Sequence, residues 1–184
     1  MRYLCLVFFS ILISGSGAIA QSRFIDAVKD ESFATYKLVH PLHEVESTSK
    51  VVAFRIEFDS TVDHIKAISA SADVTSFDSG NSNRDSHAME VIDAITYPDV
   101  TFQSTAVRSS GDSLTVSGKL TFHGVTNDVV ASLTRQWSPD KARVEFDGGF
   151  PVSLTAFKID RPSLLMIPVE DTLRFTLKAV FNLK

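Results

Sequence analysis

The chain of 184 residues has a formal net charge of −4, with 22% charged and 44% hydrophobic residues. A mildly acidic chain is poorly suited to nucleic acid or an anionic membrane, because both favour basic patches. The length suits one domain with a substantial hydrophobic core.

The N-terminus has the features of a secretory signal peptide. Arg2 precedes an apolar run at residues 3–13, and small residues up to Ala20 form a signal-peptidase site. The run is too short to span a bilayer as a helix. We therefore predict a signal peptide at residues 1–20 and an exported, periplasmic or secreted domain at residues 21–184, with no integral membrane segment.

Cleavage after Ala20 would remove Arg2 and the only cysteine, Cys5. The mature chain would have 17 basic and 22 acidic residues, a formal charge of −5, and no thiol. Disulfides, thiolate metal ligands and cysteine nucleophiles are thereby excluded from it. Its oligomeric state stays open.

Alternation of apolar and polar residues dominates the rest of the chain. In residues 51–59, apolar side chains occupy every even position from Val52 to Phe58. A period of two indicates a strand with one buried and one exposed face. The same period recurs at residues 65–74, 100–107, 113–124, 141–150 and 171–184.

Residues 76–100 break this pattern and predict a short helix. Ser82 or Asn83 is the expected N-cap, and Met89 and Ile92 would form an apolar side lying across one end of the fold.

The spacing of the runs predicts an all-β protein of about eight to ten antiparallel strands, many joined by short turns. Several runs exceed the usual strand length, which favours a β-barrel with a short helix near one end. Closure would also protect the edges of long apolar strands. A β-sandwich is the alternative.

Histidines are the main candidates for chemistry. His40 and His43 are three residues apart, and His87 lies near the predicted helix. Imidazoles are common zinc ligands, but Pro41 argues against a helix through the pair, and positions three apart on a strand face opposite sides. A loop could still join them, so a histidine-based metal site or metal enzyme stays an alternative.

Other catalytic patterns are missing from the sequence. It has no Gly-x-Ser-x-Gly elbow and no glycine-rich phosphate loop. His123 lies on the polar parity at a strand end, next to Gly124, and is therefore interpreted as a turn or rim residue. We predict no catalytic residue, no cofactor and no metal ligand.

The apolar parity mixes phenylalanines with small residues on neighbouring strands, including Ala70, Ala72, Ala106 and Gly118. A barrel of about eight strands can be filled by side chains or can hold one slender ligand. A packed core and an open lumen fit this pattern equally well. Almost no charge lies on this parity, so any ligand would be apolar.

Three stretches, at residues 76–107, 111–129 and 154–165, resemble the YceI family of exported bacterial proteins. The first contains Arg84-Asp85-x-His87 and Tyr97-Pro98, and the second contains Gly118-x-Leu120-Thr121-x-His123-Gly124-Val125-Thr126. The resemblance implies a lipocalin-like antiparallel β-barrel with a helix near its opening. It also implies an elongated cavity for a polyisoprenoid such as a polyprenyl quinone, and no uniform enzymatic activity.

Departures from the family pattern lie near the expected mouth. His40 is followed by Pro41-Leu42, where the family usually has glycine, and "AMEVIDA" replaces an aromatic-rich stretch. Recognition of a ligand head group is therefore the family property that the resemblance implies least for this chain.

The leading hypothesis is a protein that sequesters or carries an isoprenoid or other long apolar lipid. A ligand-free barrel acting on a protein partner is a further alternative. The predicted lumen residues are Phe54, Ile56, Phe58, Ala70, Ala72, Val74, Phe102, Ala106, Val116, Leu120, Phe122, Val144, Phe146, Phe175, Leu177 and Phe181. The predicted mouth residues are Met89, Ile92, Leu164, Leu165 and Met166.

Overall fold

The computed structural model describes residues 22–184, so the predicted signal peptide lies outside the described residues. The strands are β1 Ser22–Asp26, β2 Phe33–His40, β3 His43–Ser49, β4 Ala53–Asp59, β5 His64–Asp73, β6 Asp99–Ser110, β7 Ser113–Phe122, β8 Val125–Trp137, β9 Arg143–Ser153, β10 Ser163–Leu164, β11 Ile167–Pro168 and β12 Thr172–Asn182. The helical elements are α1 Ser82–Val91 and 3₁₀ turns at Lys29–Glu31, Val74–Ser76 and Thr155–Phe157.

Ten strands form one antiparallel sheet in the order β1-β4-β5-β6-β7-β8-β9-β12-β2-β3, and β10 pairs with β11 in a separate ribbon. Most neighbouring strands in the sheet are also consecutive in the chain and are joined as hairpins. Antiparallel strands permit this, because a short turn can connect them without a crossover. The sheet curls so that its apolar face lies inside. This all-β antiparallel architecture confirms the predicted fold class.

Backbone hydrogen bonds join each edge of the sheet to another segment of the chain, β12 at one edge and the residues after β5 at the other. Beyond β1, the Val28 N–H donates to the Val180 carbonyl at 2.7 Å. At the other edge, Thr48 and Asp78 exchange two backbone hydrogen bonds of 3.0 and 3.1 Å. These bonds satisfy backbone groups that an edge strand would otherwise expose.

The barrel has one solidly packed end, near the β4–β5, β6–β7 and β8–β9 turns. Ile56 and Val144 are fully buried there, and the Phe58 ring lies 6.3 Å from the Trp137 ring. Close packing leaves no room between such side chains. This is the closed end of the barrel.

A β-bulge changes which β6 residues face inward. The β6–β7 register shifts between Ser104 and Ala106, so Ala106 pairs with Ser117 while Val107 pairs with the buried Val116 and packs against the core. Because side chains alternate between the two faces of a strand, one extra residue moves every later residue of that strand to the opposite face. The prediction that Ala106 faces the lumen is therefore wrong.

Gly118 faces inward, but the space beside it is filled. A Cβ added there would lie 2.5 Å from the Phe102 ring and from the Gln103 carbonyl oxygen. The glycine therefore accommodates the Phe102 side chain, and it leaves no space for a ligand.

The N-cap of helix α1 is Asn81, one residue before Ser82 and two before Asn83, the predicted caps. The Asn81 side chain accepts hydrogen bonds from the Asn83 and Arg84 amides, at 3.1 and 3.2 Å. An asparagine N-cap stabilises the first turn in this way. Among residues 22–184, no helix is long and apolar enough to cross a membrane.

We expect Gly118→Ala to lower the free energy of unfolding by about 1–3 kcal/mol, because the new methyl group must displace the Phe102 ring or the backbone. Urea denaturation measures this change. Gly111→Asn is the matched control: a Cβ added at Gly111 would meet no atom of a non-neighbouring residue within 4 Å, and asparagine tolerates the left-handed backbone there, so the free energy of unfolding should change by less than about 0.5 kcal/mol. Equal unfolding midpoints for G118A and wild type would contradict the tight contact.

Candidate ligand cavity

The open end of the barrel contains a cavity of about 310 Å³, which we call the outer cavity. This volume lies at the lower end of the range for small-molecule sites. The helix α1, the β2–β3 hairpin and the segment between β9 and β12 form its walls. Its lining includes Tyr36, Leu38, Val45, Phe77, Met89, Ile92, Phe122, Leu154, Ile159, Leu164, Val169, Leu173 and Phe175.

A smaller cavity of about 90 Å³, the inner cavity, lies deeper in the barrel. Small side chains on β5 create it, since Ala70 and Ala72 face large residues on other strands. Its lining includes Phe54, Ala70, Ala72, Phe77, Phe102, Val116, Leu120, Phe146, Phe150, Phe175, Leu177 and Phe181.

An aromatic layer separates the two cavities. Phe77 and Phe175 line both of them. The Phe175 ring stacks on Phe150 at 5.4 Å and meets the edge of Tyr36 at 6.4 Å, and Tyr36 lies 5.5 Å from Phe77. Stacked and edge-to-face rings attract one another beyond their apolar burial. The cavities are thus end to end, and the aromatic layer divides them.

Polar groups lie at the outer cavity and its mouth. Arg84 lines the outer cavity, and its guanidinium donates to the Ser79 hydroxyl and carbonyl oxygens, both at 2.9 Å. Burial raises the pKa of the Tyr36 phenol, so it stays neutral and can donate a hydrogen bond. The polar side of the cavity is therefore concentrated near α1 and β2.

His40 is buried and connects two hairpins. The Leu42 N–H donates to its Nδ1 at 3.1 Å, which leaves Nε2 to donate to the Ile167 carbonyl at 2.9 Å. This pattern selects the neutral Nε2–H tautomer. The imidazole therefore fixes the β10–β11 ribbon against the β2–β3 turn.

The three histidines of the metal hypothesis all line the outer cavity. The His40 and His43 rings are 5.0 Å apart across the hairpin, but both His40 nitrogens already have backbone partners. His87 lies on α1 with Nδ1 3.7 Å from Glu90. Within residues 22–184, no three His, Cys, Asp or Glu side chains form a group able to hold a metal ion.

The predicted site residues fall into three groups. The inner cavity is lined by Phe54, Ala70, Ala72, Phe102, Val116, Leu120, Phe146, Phe175, Leu177 and Phe181. The outer cavity is lined by Val74, Met89, Ile92, Phe122 and Leu164, and also by Phe175. Six line neither cavity: Ile56, Phe58 and Val144 pack in the closed end, Ala106 faces outward, and Leu165 and Met166 are exposed.

Much of the outer cavity, and Phe150 of the inner cavity, was not predicted. Tyr36 and Leu38 alternate with polar residues on β2, and Phe150 continues the alternation of Phe146, so periodicity could have found these three. Leu154 and Ile159 lie in irregular structure, where no period indicates which side chains turn inward.

Comparison with known proteins identifies the family. A family model described as a YceI-like domain matches residues 25–181. The chain belongs to the YceI-like family. Protein YceI of Escherichia coli O157:H7 is 29% identical over 152 residues, which cover 78% of this chain and 80% of that protein. Protein YceI of Salmonella newport is 28% identical over 148 residues, covering 76% and 78%.

Solved structures share the YceI-like fold. Burkholderia cenocepacia BcnA has a TM-score of 0.74 at 24% identity, covering 84% of this chain and 98% of that one. A polyisoprenoid binding domain from Saccharophagus degradans has a TM-score of 0.65 at 12% identity, covering 87% and 99%. The YCEI protein of Campylobacter jejuni has a TM-score of 0.60 at 20% identity, covering 100% and 99%. These likenesses establish the barrel fold.

The His123-Gly124 pair, one basis for the YceI resemblance, forms the two-residue β7–β8 turn. Both residues have positive φ, 49° and 70°, as a tight hairpin turn requires. The Tyr97 ring packs edge-on against the His123 ring at 4.7 Å and also covers Gly124. His123 Nδ1 lies 3.1 Å from the Phe157 carbonyl. Its interpretation as a turn residue is confirmed, and its contacts join three segments around the open end.

We expect His40→Phe to lower the free energy of unfolding by about 1–3 kcal/mol, because it leaves the Ile167 carbonyl and the Leu42 amide without partners. Hydrogen exchange should accelerate most at the Leu42 amide. His43→Phe, at an exposed position of the same hairpin, is the control and should change stability by less than about 0.5 kcal/mol. Equal losses in both variants would contradict the bridging role of His40.

Proposed function

We propose that this YceI-like protein binds a polyisoprenoid or another long apolar lipid inside its barrel, and that it sequesters or transports that lipid after export. The observation that supports this most is the pair of cavities placed end to end, both walled mainly by apolar side chains. The fold is shared with a protein described as a polyisoprenoid binding domain.

Affinity would come from burial of apolar area, at about 25 cal/mol per Å². Ordering of a flexible chain offsets part of that gain. A linear ligand would place its tail toward the inner cavity and any polar head near Tyr36 and Arg84 at the outer cavity. A polyprenyl quinone has this form, with carbonyl oxygens that the Tyr36 hydroxyl could bond.

The aromatic layer would control how much chain can enter. The outer cavity alone accepts a short segment, while a longer chain must displace Phe175 or Phe77 to reach the inner cavity. A longer ligand would therefore require these rings to rotate, because the interior is closely packed and has no spare space around them.

We propose a binding role rather than catalysis. The Arg84 guanidinium donates to Ser79 and the His40 imidazole to the Ile167 carbonyl, and the walls of both cavities are dominated by Phe, Leu, Val and Ala. Export through cleavage after Ala20 belongs to the same proposal, because a barrel carrying a membrane-derived lipid acts between membranes.

Ala70→Trp should remove the bound lipid, because an indole fills most of the inner cavity. Native mass spectrometry of protein purified from cells, followed by organic extraction, measures lipid stoichiometry. We expect near one-to-one occupancy in wild type and at least a tenfold loss in the variant. Because the bulge turns Ala106 outward, Ala106→Trp is the matched control and should retain the lipid.

A second pair of variants tests the same proposal if Ala70→Trp fails to fold. Ala88 on α1 lines the outer cavity and Ser86 on the same helix is exposed. Ala88→Trp should lose lipid while Ser86→Trp keeps it. Folded Ala70→Trp and Ala88→Trp proteins that still carry one lipid each would refute binding in the barrel.

Phe175→Ala should merge the two cavities, because it removes the ring that stacks on Phe150 and meets Tyr36. The variant should lose about 3–5 kcal/mol of stability and bind longer isoprenoids relative to wild type. Competition between isoprenoid alcohols of different length, read by mass spectrometry, measures this preference. Phe58→Leu in the closed end should leave the length preference unchanged.

A further inference from the structure

The β10–β11 ribbon projects an apolar tip into solvent beside the mouth. Leu165 and Met166 at its turn are 76% and 97% exposed. Residues 162–169 contain no charged side chain. Isolated exposed apolar residues are common, but a continuous uncharged tip of large side chains indicates an interaction site.

The backbone of this turn is unfavourable for the residues that occupy it. Leu165 and Met166 have φ values of 53° and 65°, in the left-handed region. A two-residue turn with two positive φ values favours Asn-Gly, and large side chains there weaken it. Within one molecule, the pair gains no burial that would offset this cost.

The ribbon is nevertheless firmly attached to the barrel. The Val169 amide donates to the Pro162 carbonyl at 2.9 Å, and Glu170 donates to Val39 at 2.8 Å. His40 holds the Ile167 carbonyl as described. Hydrogen bonds therefore fix the base of the ribbon, and the two-residue tip projects from that fixed base.

The tip is continuous with the cavity that would hold the lipid. Leu164 both lines the outer cavity and is 47% exposed. Leu42, 60% exposed on the β2–β3 turn, lies two residues after His40, which bonds to the ribbon. An apolar surface thus runs from the interior across the rim to the outside.

We propose that the ribbon tip, Leu165–Met166, inserts into a lipid bilayer and brings the cavity mouth to the membrane surface. The inference deepens the proposed function, on which it rests: a bilayer is the medium in which a long apolar ligand is soluble. The uncharged tip and the acidic chain select the apolar interior of the bilayer rather than anionic head groups. Docking is weak and reversible, because few side chains enter.

The double variant Leu165→Asn/Met166→Gly tests this directly. It installs the turn residues that the backbone favours, so the protein should fold and its melting temperature should rise. Sedimentation with phosphatidylcholine vesicles measures the partition coefficient, which should fall at least tenfold. Val62→Asn, at an exposed apolar position in the β4–β5 turn of the closed end, is the control and should bind vesicles like wild type.

Varying the salt concentration and the charge of the lipids in the vesicle assay distinguishes insertion of the tip from electrostatic attraction. Wild-type binding to phosphatidylcholine vesicles should persist at high salt and should not increase with anionic lipid. Vesicle binding that is unchanged in the double variant would overturn the proposal. So would a wild-type dimer that the double variant abolishes without any vesicle binding, because the tip would then contact a second copy.

Lipid content keeps the two proposals distinguishable. The double variant should still carry one lipid when purified from cells, since its cavities are intact. If wild type binds vesicles through the tip but carries no lipid, membrane docking stands and the proposed ligand is wrong. If it carries lipid and never binds vesicles, docking is wrong.

Discussion

The apolar face of one curled sheet has to be buried against itself, and this constraint decides where free space lies in the protein. At the closed end, side chains from facing strands meet and fill the interior, with Ile56 and Val144 fully buried. Toward the open end, the small side chains of Ala70 and Ala72 leave space that the sheet does not fill. The helix α1, the β2–β3 hairpin and the segment between β9 and β12 cover that end.

The aromatic layer turns this space into two compartments. Phe175 stacks on Phe150 and Phe102 lies 6.5 Å from Phe150, so that rings from three strands meet across the lumen. Gly118 permits this arrangement by yielding its side-chain space to Phe102. The same aromatic residues that stabilise the core thus divide the interior, and under the proposed function they would link the stability of the protein to the length of ligand that it accepts.

Much of the fold could be predicted because alternation is a local property. The parity of β4, β7 and β12 placed Phe54, Leu120 and Phe181 inside, where the structure has them. The bulge that reverses Ala106 has no clear local signal, because it depends on how β6 must bend to pair with β7. Leu165 and Met166 were predicted as mouth residues, but they form the exposed turn of the β10–β11 ribbon and line neither cavity.

The sequence by itself determined the fold class, the inward face of most strands, the turn at His123-Gly124 and the family resemblance, because each depends on residues close together in the chain. Only the tertiary structure decided that two cavities exist, that an aromatic layer divides them and that His40 bonds to the Ile167 carbonyl 127 residues away. Those features arise from side chains on distant segments, and whether such side chains fill a space or leave it open depends on the exact curl of the sheet that brings them together.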